Sequence, residues 1–104
     1  MSISSCYDDI SRYNALKASL ANIVGSLNLS ATKLAPVSNT IYSAYSVDES
    51  QTPVVGRIDQ LQEDIASTAN YISKVVMPAI DQAISNKRRE IFRLEQEKAQ
   101  NSGN

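Results

Sequence analysis

CYDDISRYNALKASLANIVGSLNLSATKLAPVSNTI, residues 6–41, is the stretch that decides the fold. Cys6, Tyr13, Leu20, Leu27, Leu34 and Ile41 recur at a step of seven, and Leu16, Ile23, Ser30, Val37 and Ala44 form a second row offset by three. A side chain returns to nearly the same helix face after two turns, so paired rows at this step describe a helical seam; a strand would alternate with a period of two. The spacing predicts a first helix over about residues 8–45, roughly 55 Å long if unbroken at about 1.5 Å per residue. Pro36 has no amide hydrogen for the carbonyl of Thr32, and a kink or short break is expected near residues 28–36.

Downstream of this stretch, SVDESQT (46–52) is polar, has no periodic apolar position and precedes Pro53, which predicts a turn and then a helix start. Thr52 can cap free backbone amides, and Pro53 suits the first helical position because its missing N–H would have no intrahelical partner there. Val54, Ile58, Leu61, Ile65, Ala69, Ile72, Val76, Ile80, Ala83, Ile84, Ile91 and Leu94 then step mostly by three and four, predicting a second helix over about 53–98. Pro78 in its middle is expected to bend it, and the polar tail 99–104 is expected to fray. The fold expected is all-α: a single domain over 1–104 forming an antiparallel two-helix hairpin with coiled-coil-like packing, kinked near Pro36 and Pro78.

Composition supports a folded chain of this kind. Apolar residues at 42% with a net charge of -1 are too many for a disordered tail, and 104 residues suffice for one domain. There is no Trp and one Phe, so the core supply is mainly Leu, Ile, Val and Ala, which suits a thin helical seam. Interspersed charges give no long-range field to recruit nucleic acid or an anionic membrane. With Cys6 as sole cysteine and no His, an intrachain disulfide and a Cys/His metal site are both excluded. Residues 1–10 contain no apolar run or basic residue of the signal-peptide kind, and the longest apolar stretch, 75–80, is far short of the ~20 residues a span requires. The expectation is a chain made in the cytoplasm without membrane insertion.

No catalytic constellation is visible. His, the usual general base near neutral pH, is absent, and Asp8 with Asp9 or Glu63 with Asp64 are helix neighbours pointing about 100° apart. Gly25, Gly56 and Gly103 are isolated, so no phosphate-binding loop is formed. Lys87, Arg88, Arg89 and Arg93 lie among Glu90, Glu95 and Glu97, with Arg93 placed to pair with Glu97 one turn on, so a solvated face is the reading preferred over an anion site. Cys6, in register with the seam, reads as a small buried group. The tyrosines read as packing, with partner contact as the alternative. Neither an enzyme, a cofactor, a metal nor a small-molecule substrate is expected.

The second helix offers the sharper signal. At 100° per residue, Ile72, Val75, Val76, Ala79, Ile80, Ala83 and Ile84 cover an arc of roughly 180°, wider than a two-helix seam requires. A further neighbour is implied, either another chain or the N-terminal segment folding back across Pro36. The partner-binding residues expected, from the apolar stripes of both helices, are Leu16, Leu20, Ile23, Leu27, Ile65, Ile72, Val76, Ile80 and Ile84.

VVMPAIDQAI (75–84) followed by NKRREIFRLEQEK (86–98), with two long helices about a central polar turn, resembles the WXG-like helical hairpins of type VII secretion. Within that superfamily the likeness is to the LXG-associated helical proteins. The Trp-x-Gly turn has no counterpart, since SVDESQT stands there, and four residues beyond Phe92 is Gln96 rather than an acid. The resemblance implies a targeting factor that binds the helical N-terminal domain of an LXG-type effector, alone or alongside a second small helical protein, and that relies on its partner for the export signal. The other function considered is a structural coiled-coil protein that self-associates through the same stripes.

Overall fold

A computed structural model describes residues 2–45 and 52–102, apart from the side chains of residues 42–45, 52 and 102. It contains helices α1 (Ile3–Tyr45), α2 (Thr52–Tyr71) and α3 (Met77–Ser102), with a π-helical turn at Ile72–Val76 joining the last two. No strand occurs among the described residues. The expected turn lies outside the described residues except for Thr52, which belongs to α2, and the cap expected of its side chain falls outside them too.

Helix α1 starts at Ile3 rather than near residue 8 because two serines close its first turn. Ser5 N–H donates to Ser2 Oγ at 3.0 Å and Ser2 N–H donates to Ser5 Oγ at 3.2 Å. This reciprocal arrangement satisfies amides that a helix start would otherwise leave open. At the other end of the chain α3 runs to Ser102, beyond the expected limit near Lys98.

The two internal prolines behave differently. Pro36 lies inside an unbroken α1, so the break considered for residues 28–36 does not occur. Pro36 and Thr32 are both exposed, on the solvent side of the helix, where water can serve the carbonyl that lacks a donor. Buried Ala31 and Ser38 on either side continue the packed row past the interruption. Pro78 instead stands in the first turn of α3, directly after the π-turn. A π-turn displaces the ladder by one residue, and here it precedes the position where an α-helix would lack a donor for the Lys74 carbonyl.

The chain divides into two compact units, unit 1 comprising Met1–Leu20 with Lys74–Asn104 and unit 2 comprising Ala21–Ser73. Within unit 1, Lys17 Nζ meets Asp81 Oδ1 at 2.5 Å and Lys87 Nζ meets Asp9 Oδ2 at 3.0 Å. As the first number rises the second falls, so the pairing is antiparallel. Cys6, Ile80, Ile84 and Ile91 form the buried core of this unit, with Cys6 fully enclosed. Within unit 2, Ser38 Oγ donates to Asp59 Oδ1 at 2.7 Å, while Asn28 shares a cavity with Ala66, Ala69 and Ser73, which again is antiparallel. Ala31, Ser38, Val55 and Ala69 are its buried residues. The all-α, antiparallel class expected from the sequence holds in both units.

Burial also fixes which rows form the seam. Cys6, Tyr13, Leu20, Leu27, Leu34 and Ile41 are buried or half-buried, as expected, but the companion row is Ile3, Ile10, Lys17, Val24, Ala31 and Ser38. The row expected instead, one residue earlier, holds Leu16, Ile23 and Ser30, which are exposed, and Val37, which is half-buried. Lys17 and Ser38 make the true row look polar in sequence, yet each is matched by a partner across the seam, Asp81 and Asp59. On the second stretch, the rows are 55, 62, 69 and 58, 65, 72 before the π-turn, then 77, 84, 91 and 80, 87, 94 after it, a step of eight across the turn where seven is the rule. One extra residue has been absorbed locally, as a π-bulge does.

Candidate functional site

That extra residue changes the reading of the apolar arc at 72–84. Uniform steps of 100° spread these residues over half the helix, but the π-turn at Ile72–Val76 interrupts that spacing, so the arc cannot be drawn across it as one α-helical face. Ile80 and Ile84, at 8% and 5% exposure, are covered by their own chain within unit 1 and act as core. Val76 and Ile72 are half-buried, whereas Val75 remains 49% exposed.

The remaining expected partner residues divide between the units. In unit 1, Leu20 is half-buried and Leu16 is exposed. In unit 2, Leu27 and Ile65 are half-buried and Ile23 is 46% exposed. Besides Leu29 and Tyr71, at 55% and 59% exposure, two further large side chains not anticipated as partner residues stand exposed in unit 2, Val54 and Leu61, at 51% and 50%. Their signal is in the sequence: each precedes a row position, Val55 or Gln62, by one residue, as Ile23 precedes Val24 and Val37 precedes Ser38.

This common offset places the four on one side of unit 2. The local two-fold axis relating antiparallel helices runs perpendicular to the plane that holds both, so equivalent positions on the two helices fall on the same face. The opposite side obeys the same rule. There Asn28, Ala66 and Ser73, each four residues after an inner row position, border an open cavity of about 380 Å³ together with Ser67, Ala69 and Asn70. Unit 2 thus has one flank of small polar groups and another carrying Ile23, Val37, Val54 and Leu61. Ser30 and Thr68 lie between these, and the Thr68 hydroxyl donates to the Asp64 carbonyl at 2.8 Å, leaving that group's polarity satisfied within the helix.

The seam of unit 2 reinforces the imbalance. Ala31, Ser38, Val55 and Ala69 are buried, while Leu27, Leu34, Ile41, Ile58, Ile65 and Ile72 are only half-buried. These leucines and isoleucines sit next to the apolar flank. Large aliphatics facing outward along one strip form the kind of surface that another helix can cover, since each such side chain gains roughly 1.5–3 kcal/mol when fully buried.

Charged groups in unit 1 are arranged as structural pairs. The hydrogen bond that Lys87 donates to the Asp9 carboxylate raises the Lys87 pKa above its ordinary value. Arg93 is bound to Glu90 and Glu97, as the helical spacing to Glu97 leads one to expect. Its hydrogen bond lowers the Glu90 pKa, and the two carboxylates in turn raise that of the guanidinium. Among the described residues no three His, Cys, Asp or Glu side chains converge as a metal-binding group, and no helix is long and apolar enough to cross a membrane.

Fold and surface together define a class, an all-α chain whose described residues form antiparallel helix pairs and leave an apolar flank of unit 2 incompletely covered. Compared with known proteins, the chain matches no family model, no curated protein and no solved structure.

Proposed function

We propose that this chain is a non-enzymatic adaptor that uses the apolar flank of unit 2 to receive an amphipathic helix from another protein. The observation that carries the reading is the segregation in unit 2: large aliphatics outward on one side, small residues in the seam, and small polar groups on the other side. A helix laid along Ile23, Val37, Val54 and Leu61 would convert two helices into a bundle and cover the half-buried Leu27, Ile58 and Ile65.

The resemblance to LXG-associated helical proteins supports a specific occupant, the helical N-terminal domain of an LXG-type effector of type VII secretion, alone or with a second small helical protein beside it. On this reading the chain is made in the cytoplasm and accompanies its partner to the export machine, contributing a composite helical surface rather than chemistry. The expected partner residues retained at this face are Ile23, Leu27, Ile65 and Ile72, joined by Val54 and Leu61; Ile80 and Ile84 belong to the core of unit 1.

The test is co-expression with such a domain. Ile23→Gln combined with Leu61→Gln should abolish co-purification while leaving the helical circular dichroism of the free chain unchanged. Undiminished co-purification of this double variant, or no association of the unaltered chain with the effector domain, would refute the proposal.

A further inference from the structure

A second apolar surface lies in unit 1, on different residues. Tyr7, Ile10, Ile91 and Phe92 line a groove of about 430 Å³ rimmed by Arg88 and Glu95. Phe92 is 63% exposed and Tyr7 54% exposed, so the two aromatic rings stand largely in solvent.

Charge around Phe92 is ordered along the helix. One turn before it stand Arg88 and Arg89, and one turn after it stand Glu95 and Gln96. Arg93 is already engaged by Glu90 and Glu97, but Arg88, Arg89 and Glu95 form no ion pair among the described residues. The patch therefore has a basic N-terminal half and an acidic C-terminal half about a central aromatic ring. Turned end for end, this pattern is its own complement.

We infer that the Phe92 face of α3 pairs with the same face of a second copy, the two α3 helices running antiparallel about a two-fold axis near Phe92. Glu95 of the second copy then lies opposite Arg88, Gln96 of the second copy opposite Arg89, the reverse contacts follow by symmetry, and the two Phe92 rings meet at the centre. A parallel arrangement would set guanidinium against guanidinium and is disfavoured. Arginine suits both duties, since its planar group can pair with a carboxylate and stack on an aromatic face. The patch is small, so the dimer is expected to be weak and weakened further by salt.

Sedimentation velocity of the full chain over a concentration series tests this. The unaltered chain should show a concentration-dependent monomer–dimer equilibrium. Phe92→Ala should raise the dimer Kd by about tenfold or more. Glu95→Arg alone and Arg88→Glu with Arg89→Glu should each be monomeric, whereas an equal mixture of these two variants should form a heterodimer. Retained helical circular dichroism checks that each variant folds. A chain that stays monomeric at every concentration, association unaffected by Phe92→Ala and Glu95→Arg, or a mixture that fails to associate would each overturn the inference.

Discussion

Unit 1 closes its seam with three isoleucines, Ile80, Ile84 and Ile91, around the enclosed Cys6, and ties its register with two inter-helix ion pairs. Unit 2 closes its seam with Ala31, Ser38, Val55 and Ala69, and leaves its larger aliphatics half-covered or exposed. The difference shows that apolar content and core formation are separate properties of a helix. Both units are rich in aliphatic residues, but the offset of a row by one position decides whether they face the companion helix or the solvent. Small seam residues in unit 2 also reduce what its own packing contributes, because stabilisation follows the apolar area withdrawn from water.

Truncation gives the largest contrast. Ile84→Ala should destabilise the chain by about 2–5 kcal/mol through lost burial and a residual cavity, whereas half-buried Ile65→Ala in unit 2 should cost about 1 kcal/mol. Urea denaturation followed by circular dichroism measures both, and equal costs would erase the distinction between the units. Row assignment provides the next effect. Lys17→Leu should raise stability by about 1 kcal/mol, as its partly exposed ion pair contributes little and a buried aliphatic contributes more. Leu16→Gln, one position away and exposed, should change stability by no more than about 0.5 kcal/mol. The opposite ranking would restore the row at 16, 23, 30 and 37.

Much of this was readable in advance, and the failures have identifiable causes. The helical class and the row from Cys6 to Ile41 follow from the step of seven. Its companion row was hidden because Lys17 and Ser38 look like surface residues until Asp81 and Asp59 are seen opposite them. The wide arc at 72–84 rested on uniform α-helical geometry, and no pattern in the sequence announced the extra residue of the π-turn beyond the presence of Pro78 just after it. Pro36 suggested a break, but its exposed position lets solvent serve the carbonyl left without a donor. The start at Ile3 was marked by Ser2 and Ser5, whose mutual capping uses a hydroxyl where an acid or amide is the more familiar signal. Of the candidate partner surface, Ile23, Leu27, Ile65 and Ile72 were visible by spacing, while Val54 and Leu61 emerge only once the inner row is placed.

Smaller effects refine the account of unit 1. Ser2→Ala should cost about 1 kcal/mol of local stability, visible as faster amide exchange in the first turn of α1 and as little change elsewhere. The titrations should be gentler still. Glu90 has a lowered folded pKa through its bond to Arg93, so its contribution is present above the ordinary carboxylate pKa and is lost as pH falls through the folded value. Lys87 has a raised folded pKa through Asp9, so its contribution is present below the ordinary lysine pKa and is lost as pH rises through the folded value. Denaturation across pH should therefore show shallow losses at both ends, with Glu90→Gln flattening the acid limb and Lys87→Met the alkaline limb. An unchanged slope in either variant would remove that pair from the account.

Amide hydrogen exchange on the free chain and on the proposed complex with an LXG-type N-terminal domain tests the central claim most directly. The account predicts that unit 2 exchanges faster than unit 1 in the free chain, and that binding slows exchange chiefly in the helical turns around Ile23, Val37, Val54 and Leu61. Slowing confined to unit 1, or a free chain whose unit 2 is already the better protected of the two, would contradict it.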